Sequence, residues 1–139
     1  SCDGIVFGRV DFSGSLGLTR NDIESNLVID PLLDTAQRCK NAGLEFVVGG
    51  AVSIDALPNL QKINDVYLTR FETRKVIFSA DALEISKNEL EKGLKSAVRF
   101  ELLWLINKRE YYCSMYSEDD KRIKMLEDRW KVLDQEYLI

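Results

Sequence analysis

Two short apolar runs, each stopped by glycine, constrain this chain most: Ile5-Val6-Phe7 before Gly8, and Glu45-Phe46-Val47-Val48 before Gly49-Gly50. Runs of this kind read as strands buried on both faces. Between them lies a helix signal, with Asp30 as N-cap, Pro31 in the first turn and Gly43 where a C-terminal cap belongs. Leu32, Leu33, Ala36 and Cys39 supply its apolar face. Ser53 can cap a second helix to about Lys62, kept short or bent by Pro58. Val66-Tyr67-Leu68 and Arg74 to Phe78 are the remaining strand candidates, as one irregular strand or two pieces. The order strand–helix–strand–helix–strand has the connections that a parallel sheet needs.

From Ser86 the character changes. Ser86 and Glu89 form a capping box that opens a long helix to about Tyr116, with Leu90, Leu94, Val98, Leu102, Leu105 and Ile106 as its apolar stripe. Ser117 restarts a second helix, and Glu118-Asp119-Asp120 suits a helix start, where negative charge is favoured. Ile123, Leu126, Trp130, Leu133 and Tyr137 then recur in alternating steps of three and four, one seam of a helical hairpin or short coiled coil. The seam packs against the preceding helix or serves self-association.

The formal net charge of −4, with basic and acidic residues interspersed, gives nucleic-acid binding little electrostatic support. No apolar run reaches the ~18 residues of a membrane span, and no signal-peptide pattern opens the chain. There is no histidine, and Cys2, Cys39 and Cys113 form no CxxC pair. A zinc site on Cys/His spacing and a disulfide framework are not expected, and Ser-His or Cys-His catalysis is excluded within the chain. Three reduced, mostly buried thiols in a cytoplasmic protein are expected. Ser1-Cys2-Asp3 leads at once into a strand, which reads as a cut inside a longer protein or as processing.

The chemistry concentrates between Gly8 and Gly17. RVDFSGSLGL reads as a Gly/Ser-rich loop that delivers Asp11 just past the end of a strand, where parallel α/β folds build their sites. Gly8, Gly14 and Gly17 permit backbone conformations that other residues avoid, and backbone N–H groups in such a loop can hold a carboxylate or phosphate. Asp11 beside them suits a hard divalent cation that an anionic substrate also touches, or it caps a helix or forms a turn.

IVFGRVDFSGSLGL resembles a segment of the HpcH/HpaI aldolase, or citrate lyase β-like, family: an apolar strand, G-x-x-D-[LF]-[SA], then L-G. AGLEFVVGG and AVSIDALPNL are similar to the pieces that follow, so the resemblance covers roughly Cys2 to Ala82. It implies an α/β fold, the C-terminal portion of a (β/α)8 TIM barrel with about three strand–helix units, over residues 1–82. A C-terminal helical hairpin, residues 83–139 with helices at about 87–116 and 118–137, would follow.

The resemblance further implies that Asp11 is a ligand of Mg2+ or Mn2+ and that the backbone amides of Val10 and Asp11 hold the carboxylate of a pyruvate-like unit. The activity implied is that of a carbon–carbon lyase, acting beside an oxoacid or acyl-CoA carbonyl through a metal-stabilised enolate. The family's companion glutamate and arginine have no counterpart here, so the expectation is of an incomplete site in this chain alone. A non-catalytic association module and an unrelated phosphate-binding barrel segment are the other readings.

Gly8 belongs with the substrate-binding loop, and Ser13 and Ser15 either donate to substrate oxygens or make turn hydrogen bonds. Arg9 meets an anionic substrate or points to solvent. Arg70, Glu72 and Arg74 share one face if extended, as a structural ion-paired layer by preference, or as a strand-end site or solvated edge. An open barrel edge needs covering, so a homo-oligomer or association with the missing barrel half is expected.

Overall fold

The computed structural model describes residues 2–136, and side chains for residues 2–133; Tyr137, the last position of the expected seam, lies outside the described residues. The chain divides into two units, Ser1–Glu101 and Leu102–Ile139. In the first, strand β1 (Gly4–Gly8) runs straight into helix α1 (Arg9–Ser15). Helix α2 (Asn26–Ala42), strand β2 (Glu45–Gly49), helix α3 (Leu57–Val66), strand β3 (Arg70–Glu72) and strand β4 (Ile77–Ser79) follow. Helix α4 covers Lys87–Glu136. Among the described residues no helix is long and apolar enough to cross a membrane.

The strands form one four-stranded sheet in the order β1-β2-β3-β4. β1 and β2 are parallel, with Gly4 opposite Glu45 and Gly8 opposite Gly49, and β2 and β3 are parallel through Val48 and Phe71. β4 returns antiparallel, pairing Phe78 with Phe71. Side chains alternate across a strand, so Phe7, Phe46, Val48 and Phe71 share one face. They enter the core with Val28, Leu32, Ala36 and Cys39 of α2, Leu60 and Ile63 of α3, and Leu90 and Leu94 of α4. The opposite face carries Val6, Glu45, Val47, Arg70 and Glu72, and Val6 is exposed.

This topology corrects the expected fold. Three strand–helix units of a TIM barrel are not evident: after two helical crossovers the third strand is followed by a hairpin, which makes the sheet mixed. The reason is local. Thr73 N–H donates to the Val76 carbonyl (2.9 Å) and Val76 N–H to Thr73 Oγ1 (3.2 Å), closing a tight turn around exposed Arg74 and Lys75. The strand candidates at 66–68 and 74–78 therefore resolve differently, with Val66 ending α3 and the pairing shifted to 70–72 and 77–79.

The helix boundaries are instructive too. α2 begins after Ser25 rather than at Asp30, and Pro31 lies inside it. An interior proline costs about 3 kcal/mol. Burial of Val28 and Ile29 in line with Leu32, Ala36 and Cys39 offsets that cost by adding a turn to the core face. Gly43 ends the helix as expected, at φ 67°, with Leu44 N–H donating to the Cys39 carbonyl (3.0 Å). Pro58 falls in the first turn of α3, where its missing N–H costs nothing, and the helix is short, ending at Val66.

The expected helical hairpin is also corrected. Ser86 caps α4, accepting from Glu89 N–H (3.4 Å) and donating to its carboxylate (2.7 Å). Past Gly93 the sequence holds no glycine or proline, so Ser117 does not break the helix, and Glu118 to Asp120 lie mid-helix. Asp120 instead pairs with Lys124 one turn on.

The thiols also depart from expectation, since Cys2 and Cys113 are exposed and only Cys39 is buried. Burial pushes the Cys39 thiol up from its ordinary range, with Cys2 adding to the shift. A thiol-reactive dye at pH 8 is expected to label two cysteines rapidly in the native protein and the third only on unfolding.

Candidate functional site

The parallel strands β1, β2 and β3 end together, and their carboxyl ends carry the candidate site. Gly8 is the N-cap of α1 without a side-chain cap, so Asp11 enters in the first helical turn. The expected loop at 8–17 is therefore a helix over Arg9–Ser15, followed by a turn in which Gly17 adopts φ 71°.

Arg9 neither meets the cleft nor points to solvent. Its side chain is fully buried, Nε and Nη2 donate to the Gly50 carbonyl (3.0 and 2.8 Å), and Nη1 to Glu24 Oε1 (2.7 Å). Glu24 Oε2 also accepts from Asn59 Nδ2 (2.7 Å), so one buried guanidinium links α1, the β2 exit and α3. Ser13 is buried and donates to the Arg9 carbonyl (2.5 Å), and Ser15 donates to that of Phe12 (2.7 Å). Both hydroxyls are used inside the turn rather than offered to a ligand.

Gly50 is where the backbone requires glycine. At φ 85°, a Cβ there would sit 2.8 Å from the Val10 nitrogen and 3.0 Å from that of Arg9. Only a bare backbone lets the β2 exit lie against the start of α1.

Two carboxylates are brought together beside it. A Cβ on Gly8 would lie 3.1 Å from Asp11 Oδ2, and one on Gly49 2.9 Å from Glu72 Oε1. Gly8 and Gly49 are register partners on adjacent parallel strands, so both point the same way about 4.8 Å apart. Asp11 and Glu72 thus occupy the room left by a pair of missing side chains, on one face of the sheet. They line a cleft of about 550 Å3 together with Val10, Gly50, Arg20, Arg74, Val98 and Glu101. Neither carboxylate has a hydrogen bond or ion pair within the described residues. Arg20 and Arg74 are exposed and add positive charge to the lining.

The expected trio Arg70, Glu72 and Arg74 does not act as an ion-paired layer. Arg70 pairs with Glu45, whereas Glu72 and Arg74 belong to the cleft. Arg20 joins the cleft although no motif in the sequence marks it. Its only local signal was the adjacent capping box, in which Thr19 N–H and Oγ1 both donate to Asp22 (2.9 and 2.7 Å). Those two bonds, the side-chain one first, hold the Asp22 carboxyl below the usual carboxylate range.

Among the described residues no group of three or more His, Cys, Asp or Glu is placed to hold a metal ion. Asp11 and Glu72 suit a looser site. Magnesium takes one or two carboxylates and completes its octahedron with water and substrate oxygens. The donor set fits a cation shared with a ligand, not a cage built from protein alone. No family model, no curated protein and no solved structure matches this chain.

Replacing Arg9 by Met is expected to destabilise the protein by about 3–5 kcal/mol, because Glu24 would keep its charge in a partly buried position without its partner. Urea unfolding followed by circular dichroism measures it, and a loss below about 1 kcal/mol would contradict the clamp.

Proposed function

We propose that the cleft binds Mg2+ or Mn2+ between Asp11 and Glu72 together with a pyruvate-like oxoacid or an acyl-CoA carbonyl, and that the chain is part of a carbon–carbon lyase of the aldolase type whose remaining site residues lie outside it. The observation that supports the reading is a pair of carboxylates without a hydrogen bond or ion pair among the described residues, set beside the register pair Gly8–Gly49 at the carboxyl ends of parallel strands. The string GRVDFSGSLG supports the aldolase assignment through its resemblance to the HpcH/HpaI family.

Each group has a defined task in this reading. Asp11 and Glu72 supply oxygen donors, one from the first turn of α1 and one from the end of β3. The missing side chains at Gly8 and Gly49 give those carboxylates their room, and the Val10 and Asp11 amides face the carboxylate of the substrate. Arg20 and Arg74 attract the anion and offset its charge. A bound cation would supply Lewis-acid polarisation of the substrate carbonyl, the chemistry needed to make or break the neighbouring C–C bond. Arg9 does not touch substrate; it holds the start of α1 and Gly50 in one geometry. A cytoplasmic location belongs to the same proposal, supported by three thiols that form no disulfide.

Mn2+ titration followed by electron paramagnetic resonance, with and without oxalate as a pyruvate analogue, tests the reading. Mn2+ binding strengthened by oxalate is expected, with affinity reduced at least about tenfold in Asp11→Asn and in Glu72→Gln, as for loss of one charged ligand. No binding at millimolar Mn2+ with oxalate, or binding indifferent to both substitutions, overturns it.

A further inference from the structure

The second unit is helical from Leu102 to the end of the described residues, and every side chain described from 102 to 133 is exposed or half-exposed. Because α4 is continuous, the three-and-four spacing seen after Ile123 can be followed back to Leu102. It runs through 102, 105, 109, 112, 116, 119, 123, 126, 130 and 133. Eight of these ten positions are Leu, Ile, Tyr or Trp, and the exceptions are Arg109 and Asp119. An exposed seam of this length on one helix marks an interaction surface.

The two charged exceptions identify what covers it. They stand at equal distances on either side of Ser114, one basic and one acidic. In an antiparallel pair of identical helices with its two-fold axis at Ser114, Arg109 lies opposite the partner's Asp119, and Asp119 opposite the partner's Arg109. The same register sets Leu102 against the partner's Leu126, Leu105 against the partner's Ile123, and Tyr112 against the partner's Tyr116. Every apolar layer from 102 to 126 then meets an apolar layer, and each charge meets its opposite. A parallel pair in register would instead oppose Arg109 to Arg109 and Asp119 to Asp119, burying like charges together. Polar residues at seam positions lower stability but select register and direction.

We propose that residues 102–126 form an antiparallel two-stranded coiled coil with a second copy of this chain, its register selected by the reciprocal Arg109–Asp119 pairs. The interface is isologous and closes as a dimer. Cys113, exposed and next to the axis, comes close to the partner's Cys113.

Sedimentation equilibrium on the whole chain tests this, using a Cys2→Ser background that leaves Cys113 as the exposed thiol. A dimer is expected. Arg109→Asp or Asp119→Arg alone should weaken it at least about tenfold by creating two like-charge pairs, and the double reversal should restore it to within about threefold. In a parallel pair a single reversal leaves repulsion as it was, so the unreversed chain and both single variants would associate alike. Mild oxidation should link Cys113 to Cys113 in the dimer and in the double reversal. A monomer at tens of micromolar, single reversals that leave association unchanged, or a dimer that resists this crosslink each overturn the proposal. Mn2+ binding in the cleft is a separate readout, so failure of either idea is recognisable by itself.

Discussion

The Arg9 guanidinium is fully buried at the start of α1, and the geometry around the cleft depends on it. Two of its nitrogens donate to the Gly50 carbonyl and a third to Glu24, which in turn holds Asn59 of α3. A charge withdrawn from water this completely is tolerated only when its donors are met by good acceptors. Here the acceptors come from separate stretches of chain. The ion pair therefore specifies an arrangement of α1, the β2 exit and α3 more than it adds stability. Gly50 completes it, because any side chain at that φ of 85° would strike the first nitrogens of α1.

On that frame the two cleft carboxylates are placed by absence as much as by presence. Gly8 and Gly49 stand in register at the ends of neighbouring strands, and the space they leave is taken up by Asp11 and Glu72. Parallel strands with helical crossovers deliver their carboxyl ends to one edge, so residues distant in sequence converge without long loops. The short hairpin from β3 to β4 adds to this, because its turn carries Arg74 to the same cleft as Glu72. Charges of both signs are thereby gathered around one opening.

The helical unit obeys a different logic. Over residues 102–133 its side chains remain exposed or half-exposed, so local propensity and capping alone would leave a large apolar stripe in water. Tertiary packing within the first unit accounts for the burial of Leu90, Leu94 and Ala97. The reciprocal placing of Arg109 and Asp119 about Ser114 gives that stripe a direction and a register.

Features that depend on local chemistry are legible in the residues themselves. The runs before Gly8 and Gly49 are strands, Gly43 ends a helix in the left-handed conformation, and Ser86 caps the long helix, each because its cause lies within a few residues. Asp11 was legible as a strand-end carboxylate, whereas Glu72 was noticed only as a member of a charged trio. Decisions made between distant segments were not legible. The start of α2 moved past Pro31 because burial of Val28 and Ile29 outweighs one lost hydrogen bond. Arg9 proved to be a clamp because Gly50 and Glu24 fold onto it, and Glu72 joined Asp11 because their glycines fall in register. The Thr73–Val76 turn made the last strand antiparallel and removed the expected third strand–helix unit. Strand ends and helix caps follow from neighbouring residues, since they rest on short-range sterics and hydrogen bonding. The sheet's direction of pairing, the burial of Arg9 and the nearness of Glu72 to Asp11 rest on contacts between distant segments, which no local pattern encodes.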